Sequence, residues 1–152
     1  AIQGFNSESR QSSISGVDTR MTRTWFIDLD GTVLRHRNNN EIEVSSHEKE
    51  DGEELLPGVL DFLKTISDQH IILTTARLSR HAKHTEKALA RLGVTWDTII
   101  YNLGSGERVL VNDIKPLESE DNLSNRRMKT AFAINVNRNE GLRHLVNDDG
   151  LC

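Results

Sequence analysis

Cysteine is nearly absent from this 152-residue chain. The only one, Cys152, is the last residue, so no internal disulfide can form and a reducing cytoplasm is the expected compartment. Long hydrophobic runs are missing too: nothing approaches the roughly 18 apolar residues of a membrane span, and no stretch reads as a signal segment. Aromatics are scarce, with four Phe, one Tyr and two Trp, and none of them interrupts a basic segment. That disfavours a base-stacking surface for nucleic acid. The net charge of −4 likewise gives no global argument for a polyanionic partner. Six histidines are present without CxxC or HxxxH spacing, which leaves a zinc reading weak. No internal repeat is seen.

What is present is enough apolar chain for a core: 36% hydrophobic against 28% charged residues. Residues 1–20 ("AIQGFNSESRQSSISGVDTR") are Ser-, Gly- and Asn-rich without period and read as a flexible leader, leaving 21–152 as one domain. From there the pattern alternates. "RTWFID", "HIILTT", "DTIIY", "RVLVN" and "AFAINV" have the composition of strands. "GEELLPGVLDFLKTISD" places Leu55, Val59, Phe62, Leu63 and Ile66 at helical spacing. "SRHAKHTEKALARLG" is a second helix stopped by Gly93, and "NEGLRHLVND" a third. The stretch from Asn38 to Gly52 reads as a polar, acid-rich loop, and "KPLESEDNLSNRRMKT" as another. The expected architecture is therefore α/β, a doubly wound, mostly parallel five-stranded sheet with helices on both faces.

In such a sheet ligands bind beyond the carboxyl ends of the strands. The first strand ends in Asp28, the second in Thr74-Thr75-Ala76-Arg77, and the fourth in Asn112-Asp113-Ile114-Lys115. One rim would then collect three aspartates, two threonines, an arginine and a lysine. Hard oxygen ligands around an open position suit Mg²⁺ completed by a phosphate and water. A strand end followed by an Asx-type turn with Gly31 explains Asp28 alone, but not a second polar pair delivered by a distant strand.

"DLDGT", "IILTTAR" and "VLVNDIKP", in that order on alternating strands, resemble the first, second and fourth motifs of the haloacid dehalogenase superfamily of phosphatases. The resemblance runs from about Met21 to the end of the chain, and "TAFAINVNRNEGL" is similar to small members encoded among surface-polysaccharide genes. It implies a Mg²⁺-dependent phosphomonoester hydrolase that works through an aspartyl-phosphate. Asp28 would be the nucleophile and Asp30 the general acid and base. The i, i+2 spacing lets both point to one side of an extended chain, with Asp28 ionised and Asp30 able to hold a proton. Thr75 would hydrogen-bond the phosphoryl group, with Thr74 turned into the fold. Mg²⁺ would be held by Asp28, the Asp30 carbonyl and Asp113, with Asn112 as an additional contact. Gly31, Thr32, Ala76, Arg77 and Arg108 would line the substrate.

The family pattern departs at its lysine. The turn before the fourth strand reads Asn102-Leu103-Gly104-Ser105-Gly106-Glu107-Arg108, so Lys115 is the first candidate for that cation, with Arg108 and Lys87 as alternatives. Neither usual insertion point is long enough for a cap domain, which leaves the site open unless a homo-oligomer partner covers it. Arg35, His36, Arg37, Arg77, Arg80, His81, Lys83, His84, Arg126, Arg127 and Lys129 gather around the three motifs and suggest an anionic substrate, such as a sugar phosphate. Two alternatives stay open: the phosphorylated end of a polymer such as nucleic acid, and a binding protein that keeps the fold without turnover.

Overall fold

Two short apolar runs generate the sheet. Trp25-Phe26-Ile27 and Ile71-Ile72-Leu73 are rich in β-branched and aromatic side chains, which favour a pleated surface. The computed structural model describes residues 23–122 and 126–146; the expected leader and Cys152 lie outside them. Strand β1 (Thr24–Asp28) pairs in parallel with β2 (His70–Thr74), Trp25 opposite Ile71 and Asp28 opposite Thr74. β3 (Thr98–Ile100) joins the other edge of β2, also in parallel, giving the order β1-β2-β3. Among the described residues no helix is long and apolar enough to cross a membrane.

The helix read at "GVLDFLKT" forms as α2 (Val59–Thr65), after an α1 described below. Its Val59, Phe62 and Leu63 are buried against Ile27, Ile71 and Leu73, and Trp25 meets Phe62 edge-on at 5.3 Å. These residues alternate along the strands, so they face one side of the sheet. On the opposite side Phe26 is exposed and Ile72 half-buried. α3 (Ala82–Arg91) follows a 3₁₀ turn at Ser79–His81, buries Ala88 and Leu89, and stops at Gly93 with φ +83°.

Two expectations are corrected. The stretch after Asn38 holds a helix, α1 (Asn39–Ser45), where a loop was expected. Asn38 accepts from the Glu41 N–H while the Glu41 carboxylate accepts from the Asn38 N–H, a complete capping box. Among the described residues the sheet has three parallel strands, not five: "RVLVN" (108–112) and "AFAINV" (131–136) form no strand. A parallel strand needs a crossover of about a dozen residues or more, and only Tyr101–Glu107 separate β3 from Arg108. Instead β4 (Ile114–Lys115) and β5 (Met128–Lys129) make a separate antiparallel ribbon, braced by the Asn122 amide donating to the carbonyls of Lys115, Pro116 and Arg126. The last expected helix is described as α4 (Arg143–Val146), and residues 147–148 of it lie outside the described residues.

α4 is locked to the start of α2 by glycine. Gly141 has φ +81°, and a Cβ there would lie 2.1 Å from the Pro57 carbonyl, which accepts from Leu142 N–H at 2.9 Å. Gly141→Ala is expected to destabilise by about 2 kcal/mol or more, combining a left-handed backbone with a collision against main chain. Urea unfolding of the two proteins measures it; an unchanged midpoint contradicts the packing.

Candidate functional site

The "DLDGT" loop is coiled tightly around one carbonyl. Leu29 continues the sheet by donating its N–H to Thr74 O at 3.1 Å. Its own carbonyl then accepts from the N–H groups of Thr32, Val33 and Leu34, at 3.2, 2.9 and 3.0 Å. Gly31 makes this turn possible, at φ +95°, and its N–H donates to Leu34 O at 2.7 Å. From the far end of the chain, Asn139 N–H donates to Gly31 O, and the Asn139 side chain accepts from His36 N–H. The loop is thus held from both sides, with Asp28 and Asp30 half-buried at its mouth.

Thr32 donates its hydroxyl to Asp28 Oδ2 at 3.2 Å. Thr75, at the end of β2, donates to Asp30 Oδ2 at 3.4 Å and accepts from Arg77 N–H at 3.0 Å. Two hydrogen-bonded pairs, Asp28 with Thr32 and Asp30 with Thr75, therefore stand at the carboxyl end of a parallel sheet. Thr75 is fully buried and Thr74 nearly so, so burial does not separate the inward Thr74 from the phosphoryl-binding Thr75 that was expected.

Arg77 departs from expectation. Read as a substrate contact, it is 1% exposed and spans two carboxylates. Its Nε and Nη2 clamp Asp30 at 2.7–3.2 Å, and its Nη1 and Nη2 reach Glu53 at 2.8 and 3.0 Å. Thr85 accepts a further bond at 3.1 Å. Burial alone would weaken Arg77's hold on its proton, but the hydrogen bonds to Asp30 and Glu53 outweigh it and shift the guanidinium upward. Arg37 closes the chain at 3.3 Å from Glu53.

Glu53 escaped the sequence reading. Its neighbours draw it inward: Leu56 N–H donates to Val33 O and Arg35 N–H to Glu54 O, a short ladder beside the "DLDGT" loop. Within an acid-rich stretch, nothing marks this glutamate from those around it.

Asp28 is pushed above the usual carboxylate range, first by burial and then by Asp30, against the Thr32 hydrogen bond and the charge of Arg108. Arg108, an alternative candidate for the family's cation, thus bears on Asp28 through its charge. Lys115, the first candidate for that role, pairs instead with Asp121 Oδ2 at 3.0 Å. Arg108 itself donates to Gly104 O and Gly106 O, and Ala76 sits half-buried in the turn after β2. Several other expected rim cations are taken up by acids: Arg35 by Glu54, Arg80 and His81 by Glu43.

The expected metal ligands do not come together. Asp113 is exposed, its carbonyl accepting from Thr130, and Asn112 donates to Thr130 Oγ1 at 2.8 Å. Among the described residues no three His, Cys, Asp or Glu side chains stand together as a cation site. Asp30 is held by Arg77, which leaves Asp28 as the one available carboxylate of the pair. The described residues therefore do not fit a Mg²⁺ ion. Compared with known proteins, the chain matches no family model, no curated protein and no solved structure.

Proposed function

We propose that this chain is a phosphomonoester hydrolase, Mg²⁺-dependent when its site is complete, acting on a small phosphorylated metabolite such as a sugar phosphate. Support comes from one observation above all: two hydroxyl–carboxylate pairs, Thr32 with Asp28 and Thr75 with Asp30, stand at the carboxyl end of a parallel sheet, the position where α/β sheets bind ligands. In this reading an Asp28 oxygen attacks phosphorus and the P–O ester bond breaks. The departing alkoxide takes a proton from Asp30 and leaves as the alcohol. Water then attacks phosphorus, gives its proton back to Asp30, and phosphate leaves with Asp28 regenerated. Thr32 orients Asp28, and Arg77 fixes the position of Asp30.

That same clamp favours a second reading, an anion-binding protein without turnover. Arg77 engages both Asp30 oxygens, so a proton destined for the leaving group must displace one of those bonds.

The test is phosphate release from sugar phosphates, nucleotides and 3′- or 5′-phosphorylated oligonucleotides, with Mg²⁺ and with EDTA. Release from a sugar phosphate, lost in EDTA and restored by Mg²⁺, is the expected result. Turnover in a verified metal-free preparation would remove the metal from this reading. Phosphate binding without release from any substrate would favour the second reading.

A further inference from the structure

Most of the cations near the "DLDGT" loop are already neutralised. Arg77 is clamped between Asp30 and Glu53, Arg37 stands 3.3 Å from Glu53, and Arg35 pairs with Glu54. Lys115 is held by Asp121. Arg138 is different. It is exposed, and among the described residues no carboxylate pairs with it.

The backbone at Arg138 is nevertheless fixed. Asn139, the next residue, donates its N–H to Gly31 O at 2.8 Å, and its side chain accepts from His36 N–H at 2.8 Å. Leu142, buried in the core, donates to Pro57 O at 2.9 Å. Asn139 also holds a left-handed backbone, φ +65°, without being glycine. Such a conformation persists where the surrounding contacts determine it. The stem of Arg138 then lies on the loop itself. A Cβ at Gly31 would stand 3.2 Å from Arg138 Cγ and 3.8 Å from its Nε. Gly31 is flanked by Asp30 and Thr32, so a free guanidinium starts beside the loop that carries both aspartates.

We propose that Arg138 determines specificity at this site by binding a second anionic group, a carboxylate or a further phosphate, on the part of the substrate that is not transferred. This deepens the phosphatase reading and rests on it for the reacting phosphate.

Two observations separate this role from that of a cation for the transferring group. A guanidinium aimed at the place where phosphorus meets Asp28 would pair with that carboxylate while the place is empty. Arg138 does not: Asp28 accepts its side-chain bond from Thr32, and Asp30 is taken by Arg77. Arg138 is thus anchored at the loop and directed away from both aspartates, where the remainder of a bound substrate would extend. Its planar fork of five donors matches a carboxylate or two phosphate oxygens, and the stem lying on Gly31 leaves fewer conformations to lose on binding. In a chain of net charge −4, one uncompensated arginine at the mouth of the site favours the more highly charged of two similar substrates.

The test compares substrates that differ in the second anion alone: 6-phosphogluconate against glucitol 6-phosphate, and fructose 1,6-bisphosphate against fructose 6-phosphate, all with Mg²⁺. The wild-type chain is expected to prefer the two-anion member of one pair in kcat/KM, and the pair that shows it tells carboxylate from phosphate. Arg138→Met should shrink that preference roughly 10- to 100-fold, the range for a charge-assisted contact, with the change mainly in KM. Arg138→Lys should keep part of it. No preference in either pair, or equal losses on both members of a pair in Arg138→Met, would overturn the role. So would a Tm lowered by more than about 5 °C, which would make Arg138 structural. If no sugar phosphate is hydrolysed, the phosphatase reading fails by itself. Calorimetric titration with 6-phosphogluconate and fructose 1,6-bisphosphate then decides Arg138. Affinity that falls about tenfold or more in Arg138→Met keeps the contact, and equal or absent binding removes it.

Discussion

Asp28→Asn is expected to reduce phosphate release by on the order of 10³-fold or more while leaving the fold intact. An amide cannot attack phosphorus, and no neighbour can take over, because Asp30 is turned into the Arg77 clamp. The fold has little to lose. The one side-chain hydrogen bond that Asp28 accepts comes from Thr32, and the asparagine carbonyl can accept it equally. Asparagine also removes a partly buried charge that Asp30 repels, so thermal stability should hold or rise slightly. Phosphate release and a thermal melt on the same preparation decide the matter. Activity near wild type would end the aspartyl-phosphate mechanism, and a collapsed melt would show Asp28 to be structural.

The part of the fold that could be read in the sequence is the part built by local pattern. β1 and β2 carry unbroken β-branched and aromatic runs, α2 has its apolar residues at helical spacing, and α3 ends at a glycine that adopts the left-handed conformation. The α1 signal was also present, as Asn38 with Glu41 three residues on, but it lies in a stretch so polar that only Ile42 and Ser45 are buried. "RVLVN" shows the limit of composition. It is as strand-like as "HIILT", yet pairing is a property of where the chain can reach, and the connection from β3 is too short for a parallel return.

The site divides in the same way. Asp28 and Thr75 lie at the ends of adjacent strands, so register brings them close, and the local turn at Gly31 adds Asp30 and Thr32. Asp113 and Lys115 depended on a fourth strand in the parallel sheet, and the described chain places them on the β4–β5 ribbon and the segment leading to it. Arg77 and Glu53 meet because a loop ladder at residues 33–35 and 54–56 draws a glutamate inward, a long-range effect with no local signature.

That pairing carries the other large expected effect. Arg77→Met should destabilise by about 3–5 kcal/mol, the range for removing one partner of a buried ionic group. The Glu53 side chain is wholly buried and would keep only Arg37, at 3.3 Å, while Asp30 would lose both arms of its clamp. For a domain of this size that corresponds to a fall of about 10–20 °C in Tm. Lysine should not rescue it, because one ammonium cannot reproduce two forked contacts to carboxylates on opposite sides of the guanidinium. Glu53→Gln combined with Arg77→Met separates charge from packing. If the loss comes from a stranded buried carboxylate, neutralising Glu53 should return a substantial part of it, and the two changes will not add. Activity should not return with stability, because Asp30 remains unclamped. A Tm within about 2 °C of wild type for Arg77→Met would mean that water or Arg37 compensates both acids. Arg77 would then be free to serve the anionic substrate, the role its place after the second strand first suggested.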